Sequence, residues 1–240
     1  LGRHRVRGTL VLEPAGSLLM PLSLTLDFTL QQGAFDVELH EHVEANAIAL
    51  FGRSGAGKTT VLDVVAGLRR PREGRIVAGD STLFESDRGI DVPARHRRMG
   101  YVPQDVALFP HLNVRHNVTY GARHTRGDTL AKVLAVLDLE AFLERRVDQL
   151  SGGEQKRAAI ARALMADPRM LLLDEPLSAL DVALQRRVLP HLIRVRNELG
   201  IPMLYVSHQA EEVRAIADWV IKLDGGRVVA AGPPDEVELP

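Results

Sequence analysis

The stretch GRSGAGKT, residues 52–59, constrains this chain more than any other. It matches G-x-x-x-x-G-K-[ST]. It sits between AIALF (47–51), a continuous apolar run of strand length, and KTTVLDVVAGL, where Val61, Leu62, Val64, Val65 and Leu68 recur at helical spacing. A strand buried on both faces reads as such a run. Strand, Gly-rich loop and helix together predict a phosphate-binding loop. Its glycines let backbone N–H groups wrap an anion, and the helix N-terminus adds partial positive charge. In this reading Gly52, Arg53, Ser54, Gly55, Ala56, Gly57 and Thr60 cradle the phosphates of a nucleotide, Lys58 reaches the β- and γ-phosphates, and Thr59 coordinates Mg2+.

The acidic partner follows in MLLLDE (170–175), another buried-strand pattern. Asp174 at its end is placed to hold Mg2+, which takes few direct carboxylates and keeps its waters. Glu175 is placed to orient or deprotonate an attacking water. A second Gly-Ser stretch, LSGGEQKR (150–157), has two readings. Ser151 and Glu154 form S-x-x-E, a capping box that starts a helix. Gly152 and Gly153 leave the first-turn N–H groups uncovered, which makes a second anion site.

The rest of the chain alternates strand and helix patterns, predicting an α/β fold with a parallel sheet. LTLDFTL (24–30), QQG and AFDVELHEHV (34–43) read as an antiparallel hairpin with Phe35, Val37, Leu39 and Val43 on one face. WVIKLDGGRVVAAG reads as a second hairpin, and the two suggest an added antiparallel patch. RMGYVPQ (98–104) ends a further strand, and residues 105–149 read as mostly helical, with Asp128 as a helix N-cap. GGEQKRAAIARALMA is a helix, and VALQRRVLPHLIRVRNEL is a long one expected to kink at Pro190. HEHVE (40–44) puts His40 and His42 on one strand face with Glu38 and Glu44, which fits a solvated face better than a metal site. A net charge of -1 gives no bulk case for nucleic acid, and no apolar run reaches membrane-spanning length. The absence of cysteine excludes disulfides and thiolate metal sites. Residues 1–19 read as an extension upstream of a natural start at Met20.

The ordered set GRSGAGKTT, Gln104 in YVPQD, LSGGEQ, MLLLDEP, SALD (178–181) and His208 in YVSH resembles ATPase subunits of ABC transporters over about residues 22–232. The resemblance implies a P-loop NTPase, RecA-like parallel core with an antiparallel β patch and an inserted α-helical subdomain. It makes Gln104 and His208 catalytic-site residues beside Glu175, with Gln104 also at the metal and His208 at the γ-phosphate. It adds Ser151, Gly152, Gly153, Glu154 and Asp181 to the nucleotide site. It also implies an ATP-sandwich homodimer, in which one copy's Ser151–Gly153 close on the nucleotide held by the other. A transmembrane permease would dock near residues 105–121, a substrate-binding protein would act indirectly, and the chain would be peripheral on the cytoplasmic membrane face. FGRSGAGKTT, GYVPQDVALFPHLNV, VLPHL and GIPMLYVSH are most similar to ATPases of molybdate importers, while importers of sulfate, iron or sugars share many of these features.

The implied division is 20–104, the β patch and first part of the core; 105–160, the helical subdomain; 161–232, the second part of the core; and 233–240, a tail where the family's regulatory domain would begin. Phe35 is the nearest candidate for stacking on adenine. Its spacing to the loop is short, however, and its alternation with Val37 and Leu39 also fits a core role. Two other classes remain as alternatives: a chromosome-maintenance ATPase and a translation-associated one. The first needs a long coiled coil between Lys58 and Ser151, where no heptads are sustained. The second usually carries two ATPase units in one chain.

Overall fold

The computed structural model describes residues 21–32, 35–122, 127–178 and 180–239. The extension expected at 1–19, the start at Met20 and the Phe35 side chain lie outside the described residues. The first hairpin is two long antiparallel strands, β1 (Leu22–Gln32) and β2 (Phe35–Ala45), with Leu24 opposite Val43 and Phe28 opposite Leu39. β3 (Ala47–Phe51) leads through the Gly-rich loop into helix α1 (Lys58–Ala66). β4 (Glu73–Ala78), β5 (Ser81–Glu85) and β6 (Ile90–Asp91) follow, then α2 (Ala94–Arg97) and β7 (Met99–Val102). Next come α3 (Val114–Thr119), α4 (Gly127–Leu137), α5 (Gly152–Met165) and β8 (Met170–Asp174). The chain closes with α6 (Val182–Arg194), β9 (Met203–Ser207), α7 (Ala210–Ile216), β10 (Trp219–Asp224) and β11 (Arg227–Gly232).

Among the described residues the strands form one sheet of eleven, ordered β6-β5-β4-β1-β2-β11-β10-β3-β9-β8-β7. β10, β3, β9, β8 and β7 are mutually parallel. Their residues alternate between two cores. Ala47, Ala49 and Phe51 face the layer built from α3 to α7, while Ile48 and Leu50 face α1. Cover on both sides is why these strands read as unbroken apolar runs. The antiparallel strands fold over the other flank of α1, so Leu24, Leu26 and Phe28 share a core with Val61, Leu62, Val64 and Val65. Each of those four helix side chains is fully buried, a contribution of about 1.5–3 kcal/mol apiece. Among the described residues no helix is long and apolar enough to cross a membrane.

Four expectations change. Leu68 is 58% exposed because α1 ends at Ala66. Gly67 turns the chain in the left-handed region (φ 79), and a side chain there would strike the Arg97 guanidinium at 2.6 Å. Asp128 lies inside the first turn of α4 rather than capping it, where its charge still complements the helix dipole. Residues 105–113 form no helix. The C-terminal hairpin joins the antiparallel patch only through β11, which lies parallel to β2. β10 completes the parallel core beside β3, and β11 touches β2 at Arg227 opposite Glu38. The patch takes its further strands from residues 73–91 instead. Pro190 lies within α6, and a π-helical turn at Val195–Leu199 follows.

Candidate active site

The loop after β3 is shaped by close neighbours. At Gly52 (φ 152) a Cβ would lie 2.2 Å from the Leu223 carbonyl oxygen, so β10 admits only glycine beside it. The β10–β11 turn braces the loop from the same side, with the Gly226 N–H donating to the Ala56 carbonyl (3.1 Å) and the Glu38 N–H to the Gly226 carbonyl (2.8 Å). Arg53, Ser54 and Gly55 are exposed, whereas Ala56, Gly57 and Thr60 are buried beneath them. Lys58 is buried and its ammonium sits within the loop, donating to the carbonyls of Gly52 and Arg53, both at 2.8 Å. Burial lowers its pKa, and the charges of Glu175 and Asp174 oppose that shift.

Thr59 is the second residue of α1, and its hydroxyl donates to Asp174 Oδ1 at 3.1 Å. Asp174 is buried at the end of β8. Burial raises its pKa, Glu175 adds to the shift, and the Thr59 hydrogen bond and Lys58 counter it. Glu175 adopts φ 45, a left-handed conformation that costs a non-glycine residue on the order of 1 kcal/mol or more. Its carbonyl accepts from the Ser178 hydroxyl (2.8 Å) and the Ser178 N–H (3.1 Å), which hold the turn. Parallel pairing of β8 with β9, Asp174 opposite Val206, brings His208 alongside, and His208 Nδ1 lies 3.4 Å from Glu175 Oε1. Arg53, Ser54, Glu175 and His208 line one cavity of about 910 Å³.

Gln104 is exposed just beyond β7. Among the described residues its side chain makes no hydrogen bond to Thr59 or Asp174. Its carbonyl accepts from Lys156 Nζ at 2.6 Å.

The capping box forms at α5. The Ser151 N–H donates to Glu154 Oε2 (2.7 Å), and the Glu154 N–H to Ser151 Oγ (3.4 Å). The two glycines differ. Gly152 is exposed, but Gly153 is buried, and a Cβ on it would lie 2.8 Å from Leu184 Cδ1. Close approach of α6 therefore accounts for one of them. Ser151, Gly153 and Glu154 line a second cavity of about 460 Å³ with Arg157, Arg186 and Arg187, and it shares no lining residue with the first. Asp181 is exposed and caps α6, accepting from the Leu184 N–H at 2.8 Å. His40 lies between Asp27 (2.6 Å) and Glu38 (3.2 Å) on the exposed hairpin face, and His42 bonds Thr25 (3.0 Å).

Sequence reasoning missed Lys156, Glu212 and the contact of the Gly226 turn with the phosphate loop. Lys156 falls four residues before Ile160 and seven before Ala163, on the buried stripe of α5, a signal that could have flagged it. Glu212, in α7, is buried and accepts from the Ser207 hydroxyl at 2.6 Å.

The sequence model described as ABC transporter matches residues 38–178. The molybdenum import ATP-binding protein ModC of Brucella melitensis is 46% identical over 217 residues, 89% of this chain and 60% of that protein. ModC of Escherichia coli K12 is 45% identical over 215 residues, 89% and 61%. The chain thus spans about 60% of the length of the curated relatives it matches. Among solved structures, cbiO1 from Clostridium perfringens, part of the ABC transporter complex cbiONQ, superposes with a TM-score of 0.76 at 26% identity, covering 90% of each chain. The ATP-binding cassette MJ0796, a dimer in a post-hydrolysis state bound to ADP and Pi, gives 0.69 at 26% identity, covering 89% of this chain and 98% of that one.

Proposed function

This chain belongs to the ABC transporter family, and from that premise we propose that it is the ATP-binding, ATP-hydrolysing subunit of an importer of molybdate or a related oxyanion. The observation that carries the reading is the convergence of Lys58, the Thr59–Asp174 hydrogen bond and the Glu175–His208 pair at the tips of β3, β8 and β9. The names of the curated relatives support molybdate as the cargo.

ATP enters as substrate, its phosphates wrapped by the loop N–H groups of residues 52–60 at the start of α1. Lys58 exchanges the carbonyls of Gly52 and Arg53 for phosphate oxygens, a trade open to a buried ammonium already inside the loop. The hydroxyl of Thr59, the carboxylate of Asp174 and the amide oxygen of Gln104 are hard oxygen donors that suit Mg2+, which would neutralise phosphate charge when bound. Glu175 accepts a proton from, or orients, the attacking water, and His208 supports it and meets the γ-phosphate.

Ser151 and Gly153 line a cavity apart from the one that Gly52, Arg53 and Ser54 of the same chain's loop line, and Gly152 lies between them. They serve a second copy, with Asp181 beside them at the head of α6. ATP favours the paired state because only its γ-phosphate contacts both copies, and loss of that differential contact on hydrolysis releases them. Within one chain, 20–104 and 161–232 act as the catalytic core and 105–160 as the helical insertion, with α5 continuing to Met165.

The permease docks near 105–121, on the cytoplasmic face of the membrane. Tyr120 is 66% exposed, and its ring centre lies 4.3 Å from that of Phe109 at a tilt of 44°, giving that surface an aromatic anchor. The test is reconstitution with the permease and binding protein. Molybdate or tungstate should stimulate ATP hydrolysis. Stimulation by sulfate or ferric iron alone would overturn the cargo, and a lack of ATPase activity under every condition would overturn the enzyme.

A further inference from the structure

Helix α5 does more than present Ser151–Gly153 at its N-terminus; it also grips the loop that carries Gln104. Lys156 Nζ donates to the Gln104 carbonyl at 2.6 Å. One helical run further on, Arg162 donates to the carbonyls of Ala107 (2.8 Å) and Val106 (3.3 Å), with its guanidinium 5.3 Å from the centre of the Phe109 ring. Three of the four carbonyls from 104 to 107 are thus held by side chains of one helix. This stretch has no helix or strand of its own to fix it, and Ala107 is held at φ 46. Lys156 is only 7% exposed, an expensive position for an ammonium unless its donors are used. Burial depresses its pKa, against the charges of Asp105, Asp174 and Glu175.

We propose that Lys156 is a positioning residue that fastens the Gln104 loop to the helix beginning at Ser151, so that nucleotide at a chain's own phosphate loop sets the placement of the half-site it offers a second copy. The proposal rests on the two-copy reading above. Gln104, a Mg2+ donor in that reading, follows β7, which pairs with the β8 strand that ends at Asp174, and Lys156 ties its carbonyl to α5 by one hydrogen bond. The short charge-assisted bond, made by a stem that is itself buried, couples a shift of the loop to the helix.

The test is hydrogen–deuterium exchange at amides 154–157 with and without MgATP. It uses a Ser151→Arg background that keeps the chain monomeric, checked by light scattering. ATP should change exchange there by about fivefold, the scale of a modest coupling between sites. Adding Lys156→Met should abolish the change while ATP affinity stays within about twofold, and Lys156→Arg should restore it. A change that persists in Lys156→Met overturns the proposal. So does the absence of any change in the Ser151→Arg parent, or a loss of ATP affinity in Lys156→Met that Lys156→Arg does not rescue. The two-copy reading is scored separately by the mass of the Glu175→Gln chain with ATP. If that chain stays monomeric while the Lys156-dependent response is present, the link stands and the dimer falls.

Discussion

Gly153→Ala sets two opposing effects against each other, and the distances decide between them. The new methyl would lie 2.8 Å from Leu184 Cδ1 and 3.1 Å from both Leu184 Cγ and Val188 Cγ2. Leu184 can yield at its tip, but Val188 is 1% exposed and stiff at χ1. Overpacking of this kind costs about 1–3 kcal/mol. Replacing glycine by alanine in a helix returns up to about 1 kcal/mol. The net is a loss of about 1 kcal/mol, or roughly 2–4 °C in melting temperature for a domain of this size. Gly152→Ala is the control. Its nearest neighbour is Leu180 Cδ2 at 3.3 Å, so the helix term should prevail and the melting point should hold or rise. Circular dichroism melts without nucleotide measure both. If Gly153→Ala melts as high as Gly152→Ala, α6 does not crowd that position, and the packing account of the buried glycine is wrong.

Arg97→Met should destabilise by about 3 kcal/mol in urea titration, because the buried guanidinium serves the carbonyls of Val64, Val65 and Val92. A loss under about 1 kcal/mol would mean water replaces it without penalty. Burial raises the Glu212 pKa, reinforced by Glu175 and opposed by the Ser207 hydrogen bond and His208. The folded state therefore favours the neutral acid. That contribution is present at low pH and fades as pH rises through the folded pKa. Glu212→Gln, which cannot ionise, should gain melting temperature on the parent above the usual glutamate range and lose that gain near about pH 4. A pH-independent difference would refute it. Glu175→Gln should lower the rate of phosphate release by about a hundredfold or more while ATP binding persists, and full turnover would remove Glu175 from the chemistry.

The parts legible in the sequence are those where one local pattern determines the outcome. AIALF and MLLLD read as buried strands because cover on both faces leaves no polar position to break the run. Ser151 and Glu154 marked the start of α5 because a capping box is complete within four residues. The β4–β6 strands were not legible. They lie toward one end of the sheet, with Glu73 and Arg75 turned to solvent, so only alternate residues such as Ile76 and Ala78 carry the signal. The separation of β10 from the patch was equally hidden, since pairing with β3 is set by the layers on either side and not by the hairpin turn. At the site, the residue types and their order were readable. What joins them was not: Lys156 to the Gln104 carbonyl, Gly226 to Ala56 and Gly153 to Leu184 all span long stretches of sequence.

The central claim is that each catalytic site is built from two copies of the chain, and light scattering of the Glu175→Gln chain tests it most directly. With MgATP the mass should double from 26.4 kDa, and it should return to the monomer with MgADP or when Ser151→Arg is added. A chain that binds ATP yet stays at 26.4 kDa would contradict the account.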